Sequence, residues 1–393
     1  MDLFEKCRNY TVAREAMAAG LYPFFSEVES SLGTKAIIDG RKVIMIGSNN
    51  YLGLTTHPKV TQAAIEAIKK YGSGCTGSRF LNGNLDIHVE LERRLAAFMH
   101  KQAALVFSTG FQTNLGGIST LVGRGDAVYI DREDHASIVE GTRLCFGKVY
   151  KFKHNDMEDL DRILRESDNN GGKLIAVDGV FSIGGDIVNL PDLVRVAKKY
   201  SSRILVDDAH AIGVIGKHGD GTASHFGLED DVDLVMGTFS KSFASLGGFL
   251  AGEESVIHYL KHNCRTLIFS ASMPPPAVAA ALAALDIIEN EPERRARLTD
   301  IYTRMKKEFD ALGFDTGDSA TAIIPIKIGE NEATFRFWRA LLDNGVYANT
   351  IITPAVPPGE SLIRTSYMAT HTDEELDQVL EVFEKVGKEF GLI

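Results

Sequence analysis

Between about residue 85 and residue 290, short apolar runs alternate with stretches whose apolar positions recur at helical spacing. Short apolar runs of this kind predict strands that are buried on both faces. Strands that alternate with helices predict an α/β fold, in which a mostly parallel sheet is covered by helices. The predicted strands are 103–107, 127–130, 174–177, 204–206 and 234–236, and the predicted helices include 85–100, 157–165, 190–200 and 275–290.

The segment before this region has a different pattern. The pattern of residues 1–30 predicts amphipathic helical structure, with one end near Gly20 and a second end before Ser30. We expect this segment to form an N-terminal arm. Alternating apolar residues on both sides of Asp39 and Gly40 predict a hairpin, because Asp-Gly is a strong two-residue turn signal. The polar loop 48–51 follows that hairpin.

The segment after residue 290 predicts a smaller α+β unit. Residues 291–300 are rich in acidic and basic side chains, which predicts an exposed surface. Strands are expected at 322–328, 346–348 and 361–366, with a last helix from Asp373. We therefore expect an arm and hairpin segment at 1–45, a large domain at 46–290 and a small C-terminal domain at 291–393.

Composition narrows the class of protein. The chain is 44% hydrophobic and 24% charged, as expected of a globular enzyme, and its net charge of −11 argues against a nucleic-acid partner. Cys7, Cys75, Cys145 and Cys264 are scattered without zinc-binding spacing, which predicts reduced thiols in a cytoplasmic protein. The N-terminus has no long apolar stretch, so no signal peptide is expected. The longest apolar helix candidate, 277–288, is broken by Asp286 and is too short to span a bilayer.

In the stretch 234–249, one lysine follows a predicted strand after a short turn. Lys241 is accompanied by hydroxyl groups at Thr238, Ser240 and Ser242. Such a lysine suits covalent binding of a carbonyl compound beside a phosphate, although an ordinary surface lysine is the alternative on this stretch alone. A nucleotide P-loop is excluded, because Ser240 rather than glycine precedes Lys241.

Two glycine-containing turns differ in the ligand sites that they predict. Residues 72–77 match G-x-G-x-x-G, but they follow the predicted helix 58–71 instead of a strand, so we predict no dinucleotide site there. The turn 108–112 leads from a predicted strand into a helix. Free backbone N–H groups at such a helix start bind phosphate, so this turn is the predicted anion site.

Polar residues follow several of the predicted parallel strands, at the edge where ligands of such sheets bind. They are His135, Asp178, Ser182, Asp207, His210 and Lys241. Asp207 could face a pyridine nitrogen. A metal site formed by His210 and a carboxylate of Asp207 or Asp208 would lack a third convergent ligand nearby in the sequence. His135 is either a helix-entry residue or a group lying on an aromatic cofactor, and Arg364 either reaches solvent or pairs with a substrate carboxylate.

The motifs D-H-A-S, D-G-V-F-S, V-D-D-A-H, G-T-F-S-K-S and F-S-A-S-M-P-P occur in this order, and the chain resembles the α-oxoamine synthases from about Gly20 onward. The resemblance implies a fold-type I transferase dependent on pyridoxal 5′-phosphate (PLP), which condenses an amino acid with an acyl-CoA and releases CO₂. Residues 78–88 and G-T-F-S-K-S are most similar to bacterial members that convert L-serine and palmitoyl-CoA to 3-ketodihydrosphingosine, the first step of sphingolipid synthesis. A sister activity (glycine C-acetyltransferase or 8-amino-7-oxononanoate synthase) and a non-catalytic partner subunit stay open as alternatives.

The resemblance also implies a role for each candidate residue, with no metal ion involved. Lys241 would bind the cofactor covalently and remove the Cα proton, Asp207 would contact the pyridine nitrogen, His210 the ring hydroxyl and His135 the ring face. The phosphate would be bound by Gly110, Phe111, Thr238 and Ser240. Asn49 and Ser182 would lie near substrate and cofactor, and Arg364 would bind the substrate carboxylate.

The same resemblance implies a homodimer with active sites at the interface. Several relatives contact the phosphate with a Thr or Ser of the partner subunit, at the position where this chain has Ala271. Ser270 or Ser272 would then have to supply the contact. Long-chain acyl-CoA partitions to membranes, so peripheral contact with the inner membrane also stays open.

Overall fold

The computed structural model describes residues 2–393, apart from the side chain of Leu32. In chain order the strands are β1 Val28–Leu32, β2 Lys35–Ile38, β3 Arg41–Met45, β4 Ala103–Phe107, β5 Ala127–Asp131, β6 Lys148–Phe152, β7 Lys173–Asp178, β8 Arg203–Asp207, β9 Leu234–Thr238, β10 Gly248–Gly252, β11 Ile323–Gly329, β12 Val346–Tyr347, β13 Asn349–Ile351 and β14 Ser361–Ser366. The helices are α1 Glu5–Arg8, α2 Val12–Ala18, α3 Pro58–Tyr71, α4 Asp86–Phe98, α5 Gly110–Leu121, α6 Ala136–Leu144, α7 Met157–Glu166, α8 Leu190–Lys199, α9 Thr222–Phe226, α10 Glu254–Asn263, α11 Arg265–Ile268, α12 Pro275–Asn290, α13 Pro292–Leu312, α14 Asn331–Asp343 and α15 Asp373–Glu389.

A seven-stranded sheet with the order β4-β10-β9-β8-β7-β5-β6 forms the centre of the fold. Its strands are parallel except β10, which is antiparallel to both β4 and β9. The predicted mostly parallel sheet is therefore confirmed. Strands β6 and β10 were missed, because exposed lysines interrupt the apolar pattern of β6 and glycines bound the short apolar run of β10.

Both faces of this sheet are buried under helices. Ala127 and Tyr129 of β5 belong to one apolar cluster, whereas Val128 and Ile130 belong to a second cluster on the opposite face. Successive side chains of a strand point to opposite faces, so a continuously apolar strand is what a doubly covered sheet requires. The polar loops therefore meet at the carboxyl edge of the parallel strands.

The N-terminal segment agrees only in part with its prediction. Helices α1 and α2 are short and contain no buried residue, and the chain then forms strand β1 in place of the helix expected before Ser30. Gly20 has a φ of 69°, which a helix does not accommodate, and β1 gains backbone partners by pairing with β2. The hairpin β2–β3 is confirmed, with Asp39 and Gly40 at φ values of 50° and 69° in the turn.

The C-terminal region is built on a three-stranded sheet with the order β11-β14-β13. The predicted strand 346–348 is found as β12, which ends at Tyr347, and β13 follows after Ala348. The charged stretch 291–300 lies mostly in helix α13. Its side chains are exposed or half-buried except Leu298, which is buried, so the expected exposed surface is found only in part. Strand β12 pairs in parallel with β3, which joins the N-terminal hairpin to this region, and the domain boundaries stay a prediction.

None of the helices within residues 2–393 combines the length and the apolar character that crossing a bilayer needs.

Candidate active site

The loops that follow β5, β7, β8 and β9 bring polar side chains together at the carboxyl edge of the main sheet. Asp178 and Asp207 are direct partners in the register of β7 and β8. The charge of Lys241 acts to lower the pKa values of His135, Asp178 and His210, so these groups lie near it in one site. The residues that the sequence placed at separate strand ends therefore form one cluster.

Asp207 is buried, and two donors hold its carboxylate. Asn114 Nδ2 donates to Oδ2 at 2.6 Å, and the backbone N–H of Ala209 donates to Oδ1 at 2.9 Å. These bonds fix the orientation of the carboxyl group, which can face the nitrogen of a pyridine ring. In residues 2–393 no group of three or more His, Cys, Asp or Glu side chains is arranged to hold a metal ion.

Lys241 has an amine whose chemistry its surroundings alter. Burial lowers the pKa of Lys241 to about 8, although the Asp207 and Asp178 carboxyl groups oppose this shift, and the Arg364 guanidinium contributes to it. Neither a hydrogen bond nor an ion pair to Nζ occurs in the part of the chain that the structure describes. A lysine that is neutral at mildly alkaline pH and has no other partner is available for nucleophilic attack and proton transfer.

His135 is the residue that caps helix α6. Its Nδ1 accepts a hydrogen bond from the backbone N–H of Ser137 at 3.2 Å and lies 2.7 Å from Ser137 Oγ. Burial lowers the pKa of His135, so the imidazole is neutral and carries its proton on Nε2. The His135 backbone N–H donates to Asp178 Oδ2 at 3.0 Å, which fixes the loop. His135 is thus both the predicted helix-entry residue and a group that can donate from Nε2.

His210 is buried against Tyr51. The Tyr51 hydroxyl lies 2.6 Å from His210 Nδ1. Burial lowers the pKa of His210 well below its usual range and raises the pKa of Tyr51, so the neutral phenol donates to the neutral imidazole. The Nε2–H of His210 is left to donate to a ligand. Asn49 borders the same group, with its Oδ1 3.4 Å from the Tyr51 hydroxyl.

Arg364 is buried in strand β14, so the alternative in which it reaches solvent is wrong. Its Nε donates to the backbone carbonyl of Ser182 at 2.6 Å. No carboxylate within residues 2–393 forms an ion pair with it. Ser182 contributes this carbonyl oxygen, and its hydroxyl makes no hydrogen bond to the described residues. A buried guanidinium without an anion is costly, so this arrangement favours an anionic ligand.

The start of helix α5 forms a narrow anion cradle with the loop after β9. Thr109 caps the helix by accepting from the Gln112 N–H at 3.2 Å, and the N–H groups of Gly110 and Phe111 have no acceptor in residues 2–393. Thr238 Oγ1 lies 2.9 Å from Ser240 Oγ. A Cβ on Gly110 would lie 2.7 Å from Thr238 Oγ1, so only glycine leaves room here.

These groups fit PLP. The helix start and the two hydroxyl groups suit its phosphate, the Asp207 carboxylate suits its ring nitrogen, and the neutral imidazoles of His135 and His210 can lie against its ring. Lys241 has the reactivity to bind its aldehyde carbon.

The stretch 270–272 lies close to this cradle within the same chain. Gln112 Nε2 donates to Ser270 Oγ at 3.1 Å, the Ser108 hydroxyl donates to the Ala271 carbonyl, and Ser272 Oγ donates to the Gly77 carbonyl at 3.0 Å. Ser272 is therefore bound to its own chain. The contact from a partner subunit to the phosphate stays a prediction.

Sequence reasoning missed Tyr51, Asn114 and Ser137. Tyr51 belongs to the polar loop 48–51 that follows the hairpin, and Ser137 is part of the D-H-A-S motif. Asn114 stands four residues after Gly110, on the same face of α5, and this helical spacing was the available signal.

Comparison with known proteins agrees with this site. Residues 41–383 match the family described as aminotransferase class I and II. A serine palmitoyltransferase from Sphingobacterium spiritivorum is 51% identical over 387 residues, covering 98% of this chain and 97% of that protein. An 8-amino-7-oxononanoate synthase from Thermoanaerobacter pseudethanolicus is 45% identical over 380 residues, with 96% of each chain covered. A serine palmitoyltransferase variant from S. paucimobilis, solved with PLP and myriocin bound, superimposes with a TM-score of 0.97 at 37% identity over 100% of both chains.

The fold and the site define a fold-type I PLP-dependent enzyme, which confirms the predicted fold class and cofactor. The chain belongs to the class I and II aminotransferase family.

Proposed function

We propose that this enzyme catalyses the decarboxylating condensation of L-serine with palmitoyl-CoA, which gives 3-ketodihydrosphingosine, CoA and CO₂. The observation that carries the proposal is the buried Arg364. Its guanidinium has no carboxylate partner in residues 2–393, and its charge contributes to the lowered pKa of Lys241. An amino-acid carboxylate would supply the missing anion. The relatives with about half of their residues identical are serine palmitoyltransferases, which supports L-serine and a long-chain acyl-CoA as substrates.

The side chains described above would each have a role in the proposed reaction. Bound PLP supplies the electron sink that makes the substrate Cα acidic. Arg364 would hold the substrate carboxylate, and Lys241 Nζ would accept the Cα proton. His135 Nε2–H would donate to the thioester carbonyl oxygen as negative charge develops there. Asp207 would keep the ring nitrogen protonated, while His210 would donate to the ring hydroxyl.

The decisive experiment measures CoA release by the PLP-loaded enzyme with L-serine, glycine and L-alanine against acetyl-, succinyl-, pimeloyl- and palmitoyl-CoA. We expect turnover with L-serine and palmitoyl-CoA, and none with the Lys241→Ala variant. Turnover with glycine and acetyl-CoA, or with L-alanine and pimeloyl-CoA, would assign a sister activity. The 45% identical 8-amino-7-oxononanoate synthase makes the second of these the main competitor. Absence of turnover with PLP bound would favour a non-catalytic partner subunit.

We further propose a homodimer with the active sites at its interface. Phe80, Leu81 and Phe269 are 52%, 76% and 78% exposed, and they flank the contact between Ser272 and Gly77 next to the anion cradle. Large exposed apolar side chains beside a binding site are typical of an interaction surface. Light scattering should give twice the chain mass of 42.9 kDa, and Leu81→Asp should shift this mass towards one chain. A monodisperse single chain would contradict the dimer.

We also propose a cytoplasmic location with peripheral membrane contact during delivery of the acyl-CoA. The substrate is the reason, because a long acyl chain partitions into lipid. Flotation with anionic vesicles, with and without palmitoyl-CoA, measures this contact directly. Protein that stays at the bottom of the gradient in both cases would contradict it.

A further inference from the structure

A buried chain of hydrogen bonds joins Asp207 to His135 through two residues with no assigned role. Asn114 Nδ2 lies 2.6 Å from Asp207 Oδ2 and 2.8 Å from Ser137 Oγ. Ser137 Oγ lies 2.7 Å from His135 Nδ1. Asn114 and Ser137 are fully buried, with relative exposures of 0% and 1%.

The direction of each bond follows from its donors and acceptors. The Asn114 amide nitrogen has two hydrogens, and the carboxylate of Asp207 and the oxygen of Ser137 accept one each. The Ser137 hydroxyl, having accepted from Asn114, can donate its single hydrogen to His135 Nδ1. The His135 proton is then confined to Nε2. Rotation of the amide would place its oxygen against the Asp207 carboxylate, so this orientation is the favourable one.

The Asn114 side chain has one buried polar atom that makes no hydrogen bond to the described residues in this arrangement, which is energetically unfavourable. Its Oδ1 is buried and has no partner in the part of the chain that the structure describes. A buried carbonyl without a donor is unfavourable, and an apolar side chain would avoid the penalty. The two donated bonds are therefore the physical reason for an amide at this position.

We propose that Asn114 and Ser137 are positioning residues that act as one unit, holding Asp207 as an acceptor for the cofactor and holding His135 with its proton on Nε2. The inference rests on the roles proposed above for Asp207 and His135 towards PLP. It predicts that Ser137, which does not contact Asp207, still affects cofactor binding, because without its hydroxyl Asn114 loses the acceptor that orients it.

The test is a double-mutant cycle on PLP affinity, measured by absorbance titration of the apoprotein. The variants are Asn114→Ala, Ser137→Ala and the double variant. We expect each single variant to bind PLP about tenfold more weakly, as for the loss of a bond to a charged group. We expect the double variant to bind no more weakly than Asn114→Ala, because coupled residues are not additive. Ser137→Thr, which keeps the hydroxyl, should retain most of the affinity.

Controls separate this idea from a general loss of structure and from the proposed reaction. Ser119 lies on the same helix as Asn114, and its hydroxyl donates to the Leu115 carbonyl, so Ser119→Ala should bind PLP as the unmodified protein does. Additive losses, or unchanged affinity in Ser137→Ala, would overturn the proposal. If Asn114→Ala does not fold, the Ser137→Ala and Ser137→Thr pair still decides it. PLP affinity is independent of which acyl-CoA reacts, so a different substrate would leave this result standing.

Discussion

Arg364 Nε donates to the carbonyl oxygen of Ser182 at 2.6 Å, across a separation of 182 positions in the chain. This bond joins strand β14 of the C-terminal region to the loop after β7 of the main sheet. It orients the guanidinium while leaving its outer nitrogens without an anion among the described residues. The site for a carboxylate is therefore formed by two sheets.

Substitution of Arg364 tests that site. Arg364→Lys keeps a positive charge but loses the Nε bond and the planar fork that can bind a carboxylate with two nitrogens. We expect the KM for L-serine to rise about ten- to a hundredfold, as for a lost charge-assisted bond. The KM for the acyl-CoA should change much less. Arg336→Lys serves as the control, because the exposed Arg336 side chain pairs with the exposed Glu332 one turn earlier in helix α14. An unchanged KM for L-serine would contradict the assignment.

The space at Gly110 gives a second prediction. In Gly110→Ala the new Cβ would lie 2.7 Å from Thr238 Oγ1 and would narrow the anion cradle. Overpacking costs about 1–3 kcal/mol, so PLP should bind about tenfold more weakly in a titration of the apoprotein. Gly74→Ala is the matched control, because a Cβ there meets nothing within 4 Å. Equal effects in both variants would show that the cradle is not the phosphate site.

The amine of Lys241 should respond to pH in a defined direction. Burial lowers the pKa of Lys241 from its ordinary value of 10.5 to about 8. Only the neutral amine is nucleophilic, so the rate at which apoprotein reacts covalently with PLP should rise with pH through a midpoint at about 8 and then level off. Stopped-flow absorbance measures this rate, with free lysine as the reference. A midpoint near 10.5 would mean that burial does not activate the amine.

His154 gives a prediction about stability. Burial acts to lower the pKa of His154, but hydrogen bonds to Asp131 and Asp186, each at 3.1 Å, outweigh this and raise the pKa to about 10. Since the folded pKa lies above the ordinary value of 6.5, the stabilisation is complete below pH 6.5 and is lost as pH rises through about 10. The imidazolium joins the loop before His135 to the loop that carries Ser182.

Urea unfolding of His154→Gln measures this contribution. We expect a loss of about 1–3 kcal/mol in the free energy of unfolding at neutral pH, as for a broken charged hydrogen bond. The difference from the unmodified protein should shrink as the pH rises from about 6.5 and should be lost above about 10. His258→Gln, on the exposed side of α10, is the control. A difference that does not change with pH would show that His154 is uncharged in the folded protein.

Much of the site could be predicted because its residues follow strands of one sheet. Asp207 comes directly after an apolar run, His135 and Lys241 follow theirs after a short loop, and the carboxyl ends of parallel strands necessarily meet at one edge. The burial of Arg364 could not be predicted in this way. An arginine on an alternating strand points either to solvent or to a site, and the choice depends on which sheet packs against it.

The sequence by itself determined the alternation of strands and helices, the hairpin turn at Asp39 and Gly40, and the chemical groups at the strand ends. These depend on local periodicity and on neighbours within a few residues. Only the tertiary structure decided that β10 runs antiparallel, that β3 pairs with β12 and that Asn114 joins Asp207 to Ser137. Such contacts depend on how distant segments pack and on which buried donors need an acceptor, and no local pattern contains that information.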